Sequence, residues 1–489
     1  MGSVSRYGKP ASLIFLTAAL LVGCSSNSNS NSSSNSNANA NKAANQNAAA
    51  KDDADTSANT SSKADTSKEK VTLTYTDWAN SEEAKSYRKV LDKFEELHPN
   101  IKIDYQNIPY NDYGAKLTAM AASDTLPDIG NLLEADALKW NESGKLLDLT
   151  PFYENGSVTP KIESNKFVSP DGKLLGYSIA NEIILLHYNK QLFDDVHLEY
   201  PPAETEKAWT WDQMLEVARK LTLDKNGKHP DETGFDKDNI VQYGIQVSTS
   251  ADFFWTPFAI SNGGGEVTQD GKELLLDKPE TIEAIQKVAD LALKEHVAPL
   301  PAQAANLGDV GQRLLTKKVA MVTSGQWELV NINPQLSQGL KNGIGVLPIF
   351  KKPATTNTGT PVVIFNTTKH KDEVIELYKY IMDPNNSQAN FDSGVWMPTE
   401  ANWYTDDALI KKWTASPVHP PEYRTAVIDY ALKATYPTPW FFLPTYSRIG
   451  EVLNPGLDPV WLGTKTAQQA IDEMMPKIQA IFDSGKAIE

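Results

Sequence analysis

The only thiol in this chain is Cys24, its seven histidines are scattered, and carboxylates are its most abundant reactive groups, 62 in all. No His-Glu-x-x-His, Gly-x-Ser-x-Gly, paired Cys-x-x-Cys or Walker A pattern occurs, so the sequence marks of zinc hydrolysis, a serine nucleophile and a phosphate loop are missing. Gly463-Thr464-Lys465-Thr466 falls short of a phosphate loop because glycine and lysine are not adjacent. The stretch from Asp224 begins like a calcium loop, but His229 and Phe235 stand where the EF-hand needs Gly and Glu. Neither a metal nor a cofactor is expected. A glycosidase needs only two carboxylates, so that chemistry stays open. What the chain does concentrate is tryptophan in loops. Of eleven, Trp78, Trp255, Trp327, Trp396 and Trp440 each lie near a Gly, Pro or Asn instead of inside a helical stripe. A flat indole packs on the apolar face of a pyranose while nearby carboxylates and amides bond to its hydroxyls. The alternative for any one of them is a place in the core.

Loops of this kind need a scaffold. Val71-Thr72-Leu73-Thr74-Tyr75 alternates as a strand does, and Ser81 opens a helix carrying Tyr87, Val90, Leu91 and Phe94 at helical spacing. Ile101 to Tyr105 predicts a second strand, Lys116 to Ala122 a helix, and Pro127-Asp128-Ile129 a third strand. That alternation argues for an α/β layer with a parallel sheet. Further on, Leu174 to Tyr188 is a long apolar segment interrupted at Asn181-Glu182, and Thr210 to Leu221 is a helix. Helices are also predicted over Pro279 to Glu295 and Lys371 to Met382, and strands over Lys318 to Thr323, Gly345 to Phe350 and Val362 to Asn366. The C-terminal part reads as mostly helical, broken by Pro437, Pro439 and Pro444.

At the start of the chain, Arg6 and Lys9 precede an apolar run from Ala11 to Gly23, the pattern of a secretory leader. As a helix those thirteen residues rise about 20 Å, short of the ~30 Å hydrocarbon core. Leu21-Val22-Gly23-Cys24 resembles the bacterial lipobox, which implies removal of the leader and lipidation of Cys24 as the new N-terminus. Residues 25–70 are mostly Ser, Asn, Ala and Thr, with no aromatic or large aliphatic residue to offset the entropy of ordering. A flexible coil of 46 residues spans roughly 35–40 Å, enough for a tether. Loss of the leader takes the formal charge from −16 to −18, with 44 basic residues against 62 acidic. Such a surface repels phosphate backbones, so no nucleic-acid partner is expected. One cysteine allows no intrachain disulfide, and the roughly 420 residues after the tether favour two domains.

The order of motifs resembles the lipid-anchored, extracellular solute-binding proteins of ABC sugar importers, the maltose-binding-like group or family 1 solute-binding proteins. It rests on Tyr188-Asn189-Lys190-Gln191-Leu192-Phe193, Trp209-Thr210-Trp211-Asp212-Gln213-Met214 and Asn262-Gly263-Gly264. It rests also on Lys317-Lys318-Val319-Ala320-Met321 leading to Gly325-Gln326-Trp327, and on Gly345-Val346-Leu347-Pro348; after Thr399 it thins. The resemblance implies an α/β, two-lobe, periplasmic-binding-protein-like (type II) fold, with crossing hinge strands and a ligand cleft between the lobes. One lobe would be 71–180 plus 349–393, the other 181–348 plus 394–489. The family's cleft positions fall here on Trp78, Asn80, Asn131, Glu134, Glu182, Phe253, Trp255 and Trp327, with Trp396 and Trp440 as further positions.

The implied function is a monomeric receptor on the outer face of the cell membrane. It captures a carbohydrate, an oligosaccharide, and delivers it to the permease subunits of an importer. Two other readings fit the same residues: a surface-tethered carbohydrate-active enzyme using two carboxylates, and a sensor that presents its ligand to a membrane kinase.

Overall fold

The computed structural model describes residues 69–133, 136–154, 156, 161–162 and 165–487. Cys24, the leader, the tether as far as residue 68, and Glu134 lie outside these residues. Five strands come first: β1 (Val71–Asp77), β2 (Ile101–Asn107), β3 (Ile129–Asn131), β4 (Lys166–Val168) and β5 (Leu174–Ser178). Five more follow: β6 (Ile184–Asn189), β7 (Leu223–Asp224), β8 (Ile240–Val247), β9 (Val319–Gly325) and β10 (Asn342–Gly345). The last three are β11 (Thr355–Asn357), β12 (Pro361–Ile364) and β13 (Thr435–Pro437).

They form a six-stranded sheet in the order β2-β1-β3-β12-β5-β4, a five-stranded sheet β10-β6-β9-β8-β7, and a small β11-β13 ribbon. The predicted parallel layer is present: β1 pairs in parallel with β2 and with β3. Antiparallel β12 then lies between β3 and β5, which makes the sheet mixed. The adjacent interior strands β6 and β9 are buried along their whole length. The result is the two-lobe α/β fold.

Several boundaries differ from the sequence expectation, each for a local reason. The helix placed over Lys116 to Ala122 begins earlier, at Tyr110, directly after Pro109. The strand expected over Gly345 to Phe350 lies instead at Asn342–Gly345, where it pairs with β6. Val346, Leu347 and Ile349 are still apolar and the first two are buried. Their backbone goes elsewhere: Val346 N–H bonds to Pro202 O at 2.9 Å and Ile349 N–H to Trp209 O at 2.8 Å. Pro348 has no N–H for a ladder.

The chain passes between the sheets more than once, and the passages lie side by side. The first, 179–183, joins β5 to β6; the second, 346–360, joins β10 to β12. Asn181 N–H bonds to Met397 O at 3.1 Å, and Thr358 N–H to Glu182 O at 3.1 Å. Segments around 181, 358 and 397 therefore run together where the lobes meet. Among the described residues, no helix is long and apolar enough to cross a membrane.

Candidate functional site

At this meeting point lies a cavity of about 530 Å³, lined from both sheets and from the passages between them. Trp78 enters it from the loop after β1, where its ring is held edge-on by Tyr113 at 5.0 Å and Tyr110 at 5.8 Å between centroids. Asn131 closes β3. Its Oδ1 accepts from Tyr75 Oη at 2.7 Å and its Nδ2 donates to Tyr87 Oη at 3.1 Å, so the amide is fixed by two buried phenols. Glu182 comes from the first passage and ties it to the second, accepting from Thr358 Oγ1 at 3.2 Å and from Gly359 N–H at 3.3 Å.

Phe253 and Trp327 form the opposite wall, edge to face at 6.3 Å. The Gly325-Gln326-Trp327 motif has a physical reason. A Cβ at Gly325 would sit 2.1 Å from the indole of Trp327, so the ring lies directly on the glycine. Gln326, buried, donates from Nε2 to Gly394 O at 2.9 Å and anchors the turn. Trp396 completes the lining from the segment around 397 that runs beside the two passages, edge-on to Tyr87 at 4.6 Å.

The remaining expected positions are placed otherwise. Trp255 is only 1% exposed, at the start of helix Thr256–Asn262, and does not line the cavity. The short turn Asp252–Phe254 points Phe253 and Phe254 into the cavity and Trp255 into the core. Asn80 is the N-cap of helix Ser81–Leu97. Its Oδ1 accepts from Glu82 N–H at 2.9 Å and Glu83 N–H at 3.1 Å, and its own N–H donates to Glu83 Oε2 at 2.7 Å. Its Nδ2 also donates to Asn331 Oδ1 at 3.2 Å, a link from the first lobe to helix Leu329–Leu336. Trp440 lines a second chamber, of about 420 Å³, that shares Tyr110, Ala251, Phe253 and Asn454 with the first. That chamber adds Asp136, Lys139, Ser447, Gly450 and Glu451. Glu134 is outside the described residues.

The lining also includes residues that the sequence did not single out: Asp77, Glu83, Tyr87, Tyr110, Phe254 and Asn454. Asp77 immediately precedes Trp78 and could have been found by adjacency. Asn454 sits inside helix Tyr446–Trp461, far along the chain, with no local mark. Burial raises Asp77 to about 6, although Tyr105 Oη at 2.6 Å, Asn107 Nδ2 at 3.0 Å and Ala79 N–H at 3.2 Å bond to it. Burial, with the Glu328 and Asp77 carboxylates nearby, raises Glu83 to about 7 against the opposing bond from Asn80. Among the described residues, no group of three or more His, Cys, Asp or Glu could hold a metal ion.

Directly behind Phe253 lies a buried acid pair. The Tyr446 hydroxyl contacts both Asp252 and Glu266, and Thr256 Oγ1 donates to Glu266. A phenol has one proton to give, so it can donate to only one of the two carboxyls; the other must itself be protonated to bond to the phenol oxygen. Burial raises both acids, and Asp252 raises Glu266 further. The unfolded chain releases these protons in the ordinary carboxylate range while the folded chain keeps them, so this contribution to stability falls as pH rises toward alkaline values. Glu266→Gln is expected to flatten that fall in melting temperature between pH 5 and 8 relative to the parent, read by calorimetry.

Comparison with known proteins bears on this geometry. The Listeria monocytogenes ABC substrate-binding protein, solved in complex with cycloalternan, superposes with a TM-score of 0.71 at 22% identity, over 85% of this chain and 100% of that one. The GacH receptor of Streptomyces glaucescens, solved unliganded and with acarbose, gives 0.69 at 18% identity, over 85% and 99%. A binding protein of Brucella abortus is 20% identical over 406 residues, 81% of this chain and 89% of the relative. The family model for bacterial extracellular solute-binding proteins matches from Trp78, at the cavity edge, through residue 387, and the chain belongs to that family.

Proposed function

We propose that this protein is the extracellular receptor of an ABC importer for an oligosaccharide, anchored to the membrane by lipid on Cys24. It is a binding protein, not an enzyme, as its family membership and fold relatives indicate. The observation that carries the ligand class is one cavity lined by Trp78, Trp327, Trp396 and Phe253 together with Asp77, Asn131 and Glu182. Aromatic faces suit the apolar side of pyranose rings, and the polar groups suit their hydroxyls. Relatives of the same fold were solved with cycloalternan, acarbose and maltose, which supports the same class here.

In this reading the lobes, 71–180 with 349–393 and 181–348 with 394–489, close around a ligand that touches both. A ligand with contacts to both lobes binds the closed form more tightly and shifts the population toward it. The Asn80–Asn331 bond lies where such closure would be felt. The closed, loaded form is what a permease would recognise, and the monomer is the working unit. Tryptophan fluorescence and calorimetry across a broad panel of mono- and oligosaccharides test the reading; no binding to any member would sink it.

Two chambers joined through Tyr110 and Phe253 favour an oligosaccharide over a monosaccharide. Gly450 tests this point. It lies in a helix, lines the second chamber, and a Cβ there meets nothing nearer than Asn454 Nδ2 at 3.8 Å. Gly450→Phe is therefore expected to fill the chamber without straining the helix. It should abolish the gain in affinity that longer chains show over a disaccharide, a loss on the order of tenfold for the longer chains.

The anchor has its own test. Cys24→Ser is expected to move the protein from the membrane fraction to the medium while calorimetry gives the same sugar affinity as the parent. Continued sedimentation with membranes would remove the lipid from this account.

A further inference from the structure

Asp77 and Glu83 line the main chamber, and no Lys, Arg or His does so among the described residues. The hydrogen bonds to Asp77 come from neutral donors, the Tyr105 phenol, the Asn107 amide and the Ala79 backbone. Glu83 accepts from the Asn80 backbone, and the charges felt there are the Glu328 and Asp77 carboxylates. Arg313 is felt at Glu328, but it is not in the lining and is engaged by Gln246 Oε1 at 2.9 Å and Gly308 O at 2.8 Å. In the second chamber Lys139, the one cation among the described lining residues, lies 3.9 Å from both Asp136 and Glu451 and so is matched within the wall.

The cleft thus holds Asp77 buried and Glu83 half-buried, with no positive charge among the described lining residues to match them. That is the arrangement that burial alone makes unfavourable, and a positive ligand would relieve it. The ring faces of Trp78, Trp327 and Trp396 in the same chamber would also attract an ammonium group. An anionic ligand would meet like charge in a poorly screened space.

We propose that the cleft selects its saccharide by charge, preferring one that bears a protonated amine over a neutral one and excluding uronates and sugar phosphates. This rests on the saccharide reading above. The raised positions of Asp77, about 6, and Glu83, about 7, agree with two acids lacking a cation.

Calorimetry on the purified full chain at pH 8 tests it with trisaccharides built from glucose, from glucosamine and from galacturonate, and with the glucose, glucosamine and glucuronate forms of a second linkage. The amine-bearing member is expected to bind roughly tenfold tighter than its neutral counterpart, and the uronate about a hundredfold weaker or not at all. Glu83→Gln should reduce the ratio of amine to neutral affinity. It keeps the helix cap, since Gln at this position also accepts from the Asn80 backbone, so an unchanged melting temperature certifies the fold. Neutral and anionic members binding equally, or an amine conferring no advantage, would overturn the charge inference and leave the saccharide reading intact. No member of either linkage binding would count against both.

Discussion

Trp327→Ala is expected to weaken ligand binding by about 2–4 kcal/mol, roughly 30- to 1,000-fold in Kd, with little change in melting temperature. Trp327 is half-buried, at the end of β9, with its indole on Gly325 and its edge toward Phe253. Truncation removes a large flat face from a cavity wall, while the core beneath, built from strand β9, is untouched. Gly325→Ala is the sharper companion. It keeps the tryptophan but puts a methyl where the ring lies, so affinity should fall although no ligand-facing group is deleted. Trp255→Ala gives the contrast. That ring is 1% exposed, so its loss should lower stability by about 3–5 kcal/mol. If Trp327→Ala behaved like Trp255→Ala, losing stability and keeping affinity, the ring would belong to the core.

A large effect on stability is also expected at Lys161. Its Nζ pairs with Glu400 and also donates to Met382 O, and the two side chains are 2% and 3% exposed. The second carboxylate oxygen of Glu400 has no hydrogen-bond partner among the described residues. Lys161→Met therefore leaves a buried carboxylate with no cation, a change that costs about 3–5 kcal/mol. A urea or guanidinium titration measures it as a lower midpoint with an unchanged slope. Lys161→Met combined with Glu400→Leu should recover much of the loss, because the double change removes both charges. Ile162 N–H bonds to Thr399 O at 2.7 Å, so the pair and this bond together fasten the segment around 397–400 to the segment at 161–162.

The repeating units of the fold were legible because they obey local rules. The alternation at Val71–Tyr75 and the stripe Tyr87, Val90, Leu91, Phe94 appear as β1 and the buried face of the following helix. The Gly325-Gln326-Trp327 motif was legible too, and the contact between ring and glycine supplies its cause. Other site residues were harder to read because their placement depends on turns. Phe253, Phe254 and Trp255 are consecutive aromatics in one short turn, and only the turn's geometry decides which face the cavity. Asn80 has the right chemistry for a sugar ligand, yet its side-chain oxygen is taken by the start of a helix. Asn454 reaches the cavity from a helix 376 positions after Trp78, a proximity made by the last part of the fold and not by any local pattern. The strand expected at Gly345 to Phe350 failed for a related reason: burial in a crevice between loops produces the same apolar run as burial in a sheet.

The position of β12 has a consequence for how the protein is made. It is fourth of six in its sheet, between β3 and β5, yet in the chain it comes after every strand of the other sheet. During synthesis the first lobe can therefore hold only two separate fragments, β2-β1-β3 and β5-β4, each with an open edge where β12 belongs. Joining them requires contacts between distant parts of the chain, which makes folding slow. Under the exported-receptor reading proposed above, that delay would keep the polypeptide unfolded, and so fit for export, until nearly three-quarters of it has been made.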